Sequence, residues 1–77
     1  MALQWVKVIF PTRRTVYIDG QESGRTNRIL TVGGGTHEFD LGPHKANYSP
    51  KKATRTVTGT ASDAPMLIRF KRTDTTP

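Results

Sequence analysis

No apolar run in this chain goes far before a proline, a glycine or an Asp-Gly pair interrupts it. That punctuation constrains the fold more than any other feature, because it leaves room for strands and turns but not for helices. No window sets apolar residues at i, i+3, i+4 and i+7 between caps, so no helix is predicted. The period that does recur is two. In "LQWVKVIF", Val6, Val8 and Phe10 share one face and Trp5 lies on the other. The run is rich in β-branched and aromatic residues. Pro11 ends it, because a proline cannot donate to a ladder.

The alternation continues downstream. "VYID" sets Val16 and Ile18 against Tyr17 and Asp19. Asp19-Gly20 opens a turn or loop through "DGQESG", since these residue types tolerate unusual backbone angles. "RILTV" and "THEFDL" are the next two strands, and Gly33-Gly34-Gly35 between them is a hairpin signal. Residues 16–42 are therefore expected to form three consecutive antiparallel strands. "GPHKANYSPKKA" is polar and proline-broken, which predicts a loop or wide crossover. "TRTVTGT" is a threonine-rich strand expected near an edge. "MLIRFKR" is the last strand, with Met66, Ile68 and Phe70 inward and Arg69 and Lys71 outward. The fold class that follows is all-β, a small antiparallel β-sandwich or barrel of about six to seven short strands. It forms one domain over residues 1–72, with residues 73–77 as a disordered tail.

At 77 residues such a chain buries only about 60% of its unfolded surface, so its core is modest. It has no cysteine to supply a disulfide, a thiolate ligand or a thiol nucleophile. "MALQWVKVIF" has no basic start, is interrupted by Lys7 and precedes no small-residue cleavage site, so it does not read as a signal peptide. No run nears the roughly 20 apolar residues of a membrane span. As it stands the chain is expected in the cytoplasm, or outside it if flanking sequence directs it there.

The net charge is +6, from twelve Lys and Arg against six Asp and Glu. That excess favours polyanions such as nucleic acid, anionic lipid or an acidic protein, but it equally describes a solvated surface. The basic residues are spread in pairs along the chain.

Chemical motifs are weak. A phosphate loop needs backbone N–H groups at a helix N-terminus, whereas "VGGGTHEFD" runs into a strand and lacks the Gly-Lys-Ser/Thr ending. Asp19 and Glu22 do not have EF-hand spacing. His37 and Glu38 point to opposite faces of a strand, so with His44 and Asp40 they do not converge as zinc ligands. His37 is expected to pack beside Tyr17 or Phe39, or to bond a nearby backbone group. No Gly-x-Ser-x-Gly elbow occurs, no titratable pair stands out, and sandwiches this small rarely enclose a pocket of roughly 300–1,000 Å³. No catalytic residue, metal or cofactor is expected.

Nucleic acid is the serious rival, because small basic β-barrels stack bases on exposed aromatics beside a cationic groove. The segment suited to this is "HKANYSPKKATR", where Tyr48 stands among Lys45, Lys51, Lys52 and Arg55. The opposing expectation is that Tyr48 plugs the end of the sandwich with the lysines solvated around it.

The order of short pieces resembles the PEGA domain family of small β-sandwich modules. The matching pieces are "VYIDG", "GRTN", "ILTV", "GTHEFDL" and "NYSP", with "RTVTGT" and "MLIRF" where the family places its closing strands. The resemblance runs from about Val6 to about Phe70. The four-letter motif that names the family is absent, and Asn27 stands where the family usually has proline. The resemblance implies a non-catalytic module, often attached to surface, secreted or signalling proteins, that mediates binding or spacing.

The expectation is thus a non-enzymatic interaction module that binds a protein or an anionic surface. Its partner-binding residues are expected among Trp5, Arg13, Arg14, Arg25, Arg28, Tyr48, Lys51 and Lys52. A basic nucleic-acid-binding barrel and a structural component of an envelope or particle are the alternatives.

Overall fold

The computed structural model describes residues 3–42 and 47–73. Among them are nine short strands and no helix: β1 Leu3–Ile9, β2 Thr15–Ile18, β3 Gln21–Arg25, β4 Ile29–Gly33, β5 Gly35–Asp40, β6 Tyr48–Ser49, β7 Ala53–Val57, β8 Met66–Arg69 and β9 Lys71–Arg72. The fold is all-β, as the alternation predicts. One sheet has the order β4-β1-β8 and a second has the order β3-β2-β5-β7. A third, of two strands, joins β6 to β9. The inward positions of the two larger sheets build one core: Val6, Val8 and Ile68 come from the first, and Val16, Phe39 and Val57 from the second. Val6, Val8 and Phe10 are all buried, as their shared parity requires.

Four expectations are corrected. First, "DGQESG" is not one loop. Only Asp19 and Gly20 turn, with φ of 53° and 81°. Positive φ at both central residues of a two-residue hairpin matches the twist of the flanking strands, and Asp-Gly tolerates it. Gln21–Arg25 then pairs with β2 as an edge strand. Its residues are mostly exposed, so no apolar alternation marks it.

Second, the three glycines do not make a hairpin. β4 pairs with β1, whereas β5 pairs with β2 and β7. The glycines carry the chain from one sheet to the other. Third, the pairing is not wholly antiparallel, because β8 lies parallel to β1. Fourth, "MLIRFKR" is two strands. Phe70 is buried between them and its N–H donates to the Ile9 carbonyl. Beyond Phe70 the chain leaves β1 and pairs with β6. The strand β7 is at a sheet edge, as its threonines suggest. The tail expectation for residues 74–77 and the part of the "GPHKANYSPKKA" segment at 43–46 lie outside the described residues. Thr73 donates its N–H to the Asn47 carbonyl.

A polar latch fixes the connection between β1 and β2. Thr26 is 2% exposed; its hydroxyl donates to the Thr12 carbonyl and accepts from the Arg14 N–H. Asn27, with φ of 64°, donates its backbone N–H to the Val8 carbonyl at 2.6 Å. Its side-chain amide bonds both the N–H and the carbonyl of Phe10. A proline could take neither that φ nor that N–H bond, which is a physical reason for Asn27 at this position.

Candidate functional site

Of the eight residues singled out in the sequence, the fold brings only two into contact. Tyr48, in β6, is half-buried. Its ring meets Phe10 and Phe70 edge-on, with centroids 6.5 and 5.6 Å away. Its hydroxyl donates to the Gly42 carbonyl. The Arg14 guanidinium lies 5.4 Å from the ring centroid and donates to Asn47 Oδ1 and the Leu41 carbonyl. Edge-to-face contacts and a cation over the ring favour one ring position. In this cluster the Tyr48 ring packs against the core, and Arg14 is bound to Tyr48, Asn47 and Leu41.

The other singled-out cations are scattered. Arg13 is exposed in the β1–β2 connection. Arg25, in β3, donates to Thr15 Oγ1, and Arg28 is exposed in the turn before β4. Lys51 and Lys52 are exposed ahead of β7, where Lys52 pairs with Glu38 at 3.4 Å. Trp5 is half-buried on the outward face of β1, and its backbone N–H donates to Thr60 Oγ1. The buried Gln4 amide oxygen accepts from the same hydroxyl and from the Thr60 N–H.

Among the described residues, His37 and Asp19 form the one acid–base pair with shifted groups. The His37 Nδ1 lies 2.6 Å from Asp19 Oδ2, and Nε2 lies 2.7 Å from the Gly33 carbonyl. A carbonyl and a carboxylate both accept, so satisfying both requires the doubly protonated ring. The Asp19 hydrogen bond, then the Gly33 bond, raise the His37 pKa above its ordinary 6.5 against the opposing effect of burial. The Glu38 backbone N–H, then His37, lower Asp19 below 3.8. Both ring nitrogens are committed, so the pair ties the β4–β5 crossover to the β2–β3 turn and has no nitrogen left to take a substrate proton. The ring also meets Phe39 edge-on, as its strand position suggests.

The sequence reading missed a different surface. On β1, Leu3, Trp5, Lys7 and Ile9 face away from the core. The register sets Trp5 beside Thr31, Lys7 between Ile29 and Leu67, and Ile9 beside Arg69. Leu3, Ile29 and Leu67, at 54%, 48% and 49% exposure, are the large exposed hydrophobics of the described chain, and all three lie on this one face. The outer face of the four-stranded sheet is polar instead: Thr36 and Thr56 bond each other there, beside Glu38 and Thr54. The β1 alternation contained half of this signal. The other half needed the pairing of β1 with β4 and β8.

At the end of this face, Ile9, Phe10, Pro11 and Phe70 line an open groove of about 540 Å³ that also includes Arg69 and Lys71. The groove is open along one side, so it is not the enclosed pocket that sandwiches this small rarely form. Among the described residues, no three of His, Cys, Asp and Glu converge as a metal site, and no helix is long and apolar enough to cross a membrane. No family model, no curated protein and no solved structure matches the chain.

Proposed function

We propose that this chain is a non-catalytic β-sandwich module, PEGA-like in the order of its strands and turns, that binds another protein. The observation that carries this reading is the outer face of the β4-β1-β8 sheet, where Leu3, Ile29 and Leu67 stand exposed together. Exposed apolar side chains gathered on one face, rimmed by polar residues, are the kind of surface that marks protein interaction sites. Two further features support it. The Asp19–His37 pair is used up in structural bonds. The Tyr48 ring, which base stacking would need exposed, is held against Phe10, Phe70 and Arg14.

Chemical cross-linking in extracts of the source cells, read by mass spectrometry, tests the reading. Lys7 lies on the apolar face, whereas Lys51 and Lys52 lie near the other sheet. Cross-links from Lys7 to a second protein are expected. Cross-links only between copies of this chain would favour the particle component instead. A DNA or RNA gel shift that fades steeply between about 50 and 200 mM salt would replace the reading with nucleic-acid binding.

A further inference from the structure

The two larger sheets differ in charge as well as polarity. The strands β1, β4 and β8 contain Lys7 and Arg69 and no acidic residue. Glu22, Glu38 and Asp40 belong to the other sheet and Asp19 to its turn, while Asp63 is exposed in the Ala61–Ala64 turn ahead of β8, outside both sheets. Among the described residues, no carboxylate pairs with Lys7, Arg69 or Lys71; the carboxylates that do form ion pairs, Asp19 and Glu38, do so on the other sheet. Lys7 sits in the middle of the apolar face, in register with Ile29 on one side and Leu67 on the other. Arg69 belongs both to this face and to the groove beside Ile9 and Pro11.

We propose that this face and its groove dock an acidic, amphipathic segment of a partner protein. In that complex, bulky apolar side chains cover Leu3, Trp5, Ile29 and Leu67, one of them enters the groove, and carboxylates meet Lys7, Arg69 and Lys71. The proposal rests on the protein-binding reading above and adds the chemistry of the partner. Charge complementarity selects the occupant. A second copy placed on this face by two-fold symmetry would bring two sets of Lys7 and Arg69 together, and like charges opposed across an interface disfavour it. A bilayer would want projecting apolar side chains. Here Trp5 and Ile9 are half-buried, and the groove offers a shaped recess that a lipid surface does not require.

The sole tryptophan, Trp5, reports on this surface. Selecting the intact chain against a random peptide display library is expected to enrich peptides carrying both carboxylates and bulky apolar residues. Amide shifts caused by an enriched peptide are expected at Leu3, Trp5, Lys7, Ile29, Leu67 and Arg69, together with a change in Trp5 emission. Replacing Lys7→Glu and Arg69→Glu together should weaken that peptide by about tenfold or more, as reversal of rim charge does. Leu67→Ser, which leaves every charge in place, should weaken it as well; the dispersed amide spectrum of each variant checks its fold.

Enriched peptides that map to this face but carry no acidic residues would remove the charge proposal and leave the protein-binding reading standing. Acidic peptides that map elsewhere would overturn the site. A concentration-dependent dimer in light scattering that Leu67→Ser abolishes would assign the face to self-association. No enrichment, with Trp5 responding instead to vesicles of phosphatidylserine and phosphatidylcholine, would overturn both the proposal and the reading. No enrichment and no vesicle response would do the same.

Discussion

Raising the pH from about 5 to about 8.5 should weaken this fold, and the cause is one imidazole. His37 meets two acceptors, so its charged form is the one the folded state holds. Its folded pKa is raised above 6.5. Stability from that shift is complete below 6.5 and is lost as pH rises through the folded value. Asp19 works in the opposite direction: its folded pKa is lowered below 3.8, so its contribution is complete above 3.8 and is lost as pH falls through the folded value. The two windows overlap between about pH 4 and 6.5, where the lock is strongest. A hydrogen bond to a charged group contributes about 1.5–3 kcal/mol when well buried. Here the His37 side chain is 19% exposed but that of Asp19 is 52% exposed, so solvent screening reduces the pH-dependent part to about 1 kcal/mol. For a domain of this size that is a shift in Tm of about 4–8 °C. Urea unfolding followed through Trp5 emission at several pH values measures it. Asp19→Asn keeps a residue that tolerates the positive φ of the turn and should flatten the profile, as should His37→Gln. Stability that stays level or rises from pH 5 to 8.5, or an unchanged slope in Asp19→Asn, would refute the argument. In a His44→Gln background the remaining histidine resonance should titrate above 6.5.

Other substitutions test the packing around the same frame. Gly42 has a φ of 83°, and a Cβ there would run into the Tyr17 ring; Gly42→Ala should cost about 2–4 kcal/mol in urea unfolding. Tyr48→Phe removes the bond to the Gly42 carbonyl and should cost about 1 kcal/mol. Tyr48→Ala also removes the contacts with Phe10 and Phe70 and should cost about 3 kcal/mol by thermal melting. Asn27→Ala loses both side-chain bonds to Phe10 and strains a positive φ, for about 1–2 kcal/mol, and amide exchange should rise first in residues 10–14.

The sequence made the strand content legible because burial on one face leaves a period of two. Val6, Val8, Phe10, Ile68 and Phe70 are inward in the alternation and buried in the fold. It hid β3, because Gln21–Arg25 is an exposed edge strand. Such a strand is held by backbone bonds to β2, and those leave no mark on residue type. The glycines at 33–35 were ambiguous for a related reason. Freedom to turn says nothing of whether the next strand pairs with the last one or crosses to the opposite sheet. The candidate site followed the same division. Basic residues and Tyr48 drew attention because their side chains are conspicuous, yet Arg14 and Tyr48 turn out to be bound to each other and to the chain. Lys7, Ile29, Leu67 and Arg69 look ordinary one at a time.

By itself, the amino-acid sequence determined an all-β chain with its core positions, its Asp-Gly turn, its small size and its positive charge. Each of these depends on neighbours a few residues apart, where side-chain parity and backbone preference act. Tertiary structure alone decided which strands pair. The parallel alignment of β8 on β1 and the antiparallel alignment of β4 on its other side place Leu67, Lys7 and Ile29 in one row. These residues are far apart in the chain, so no local preference joins them. Only the pairing that closes the core also assembles the exposed face on its outside.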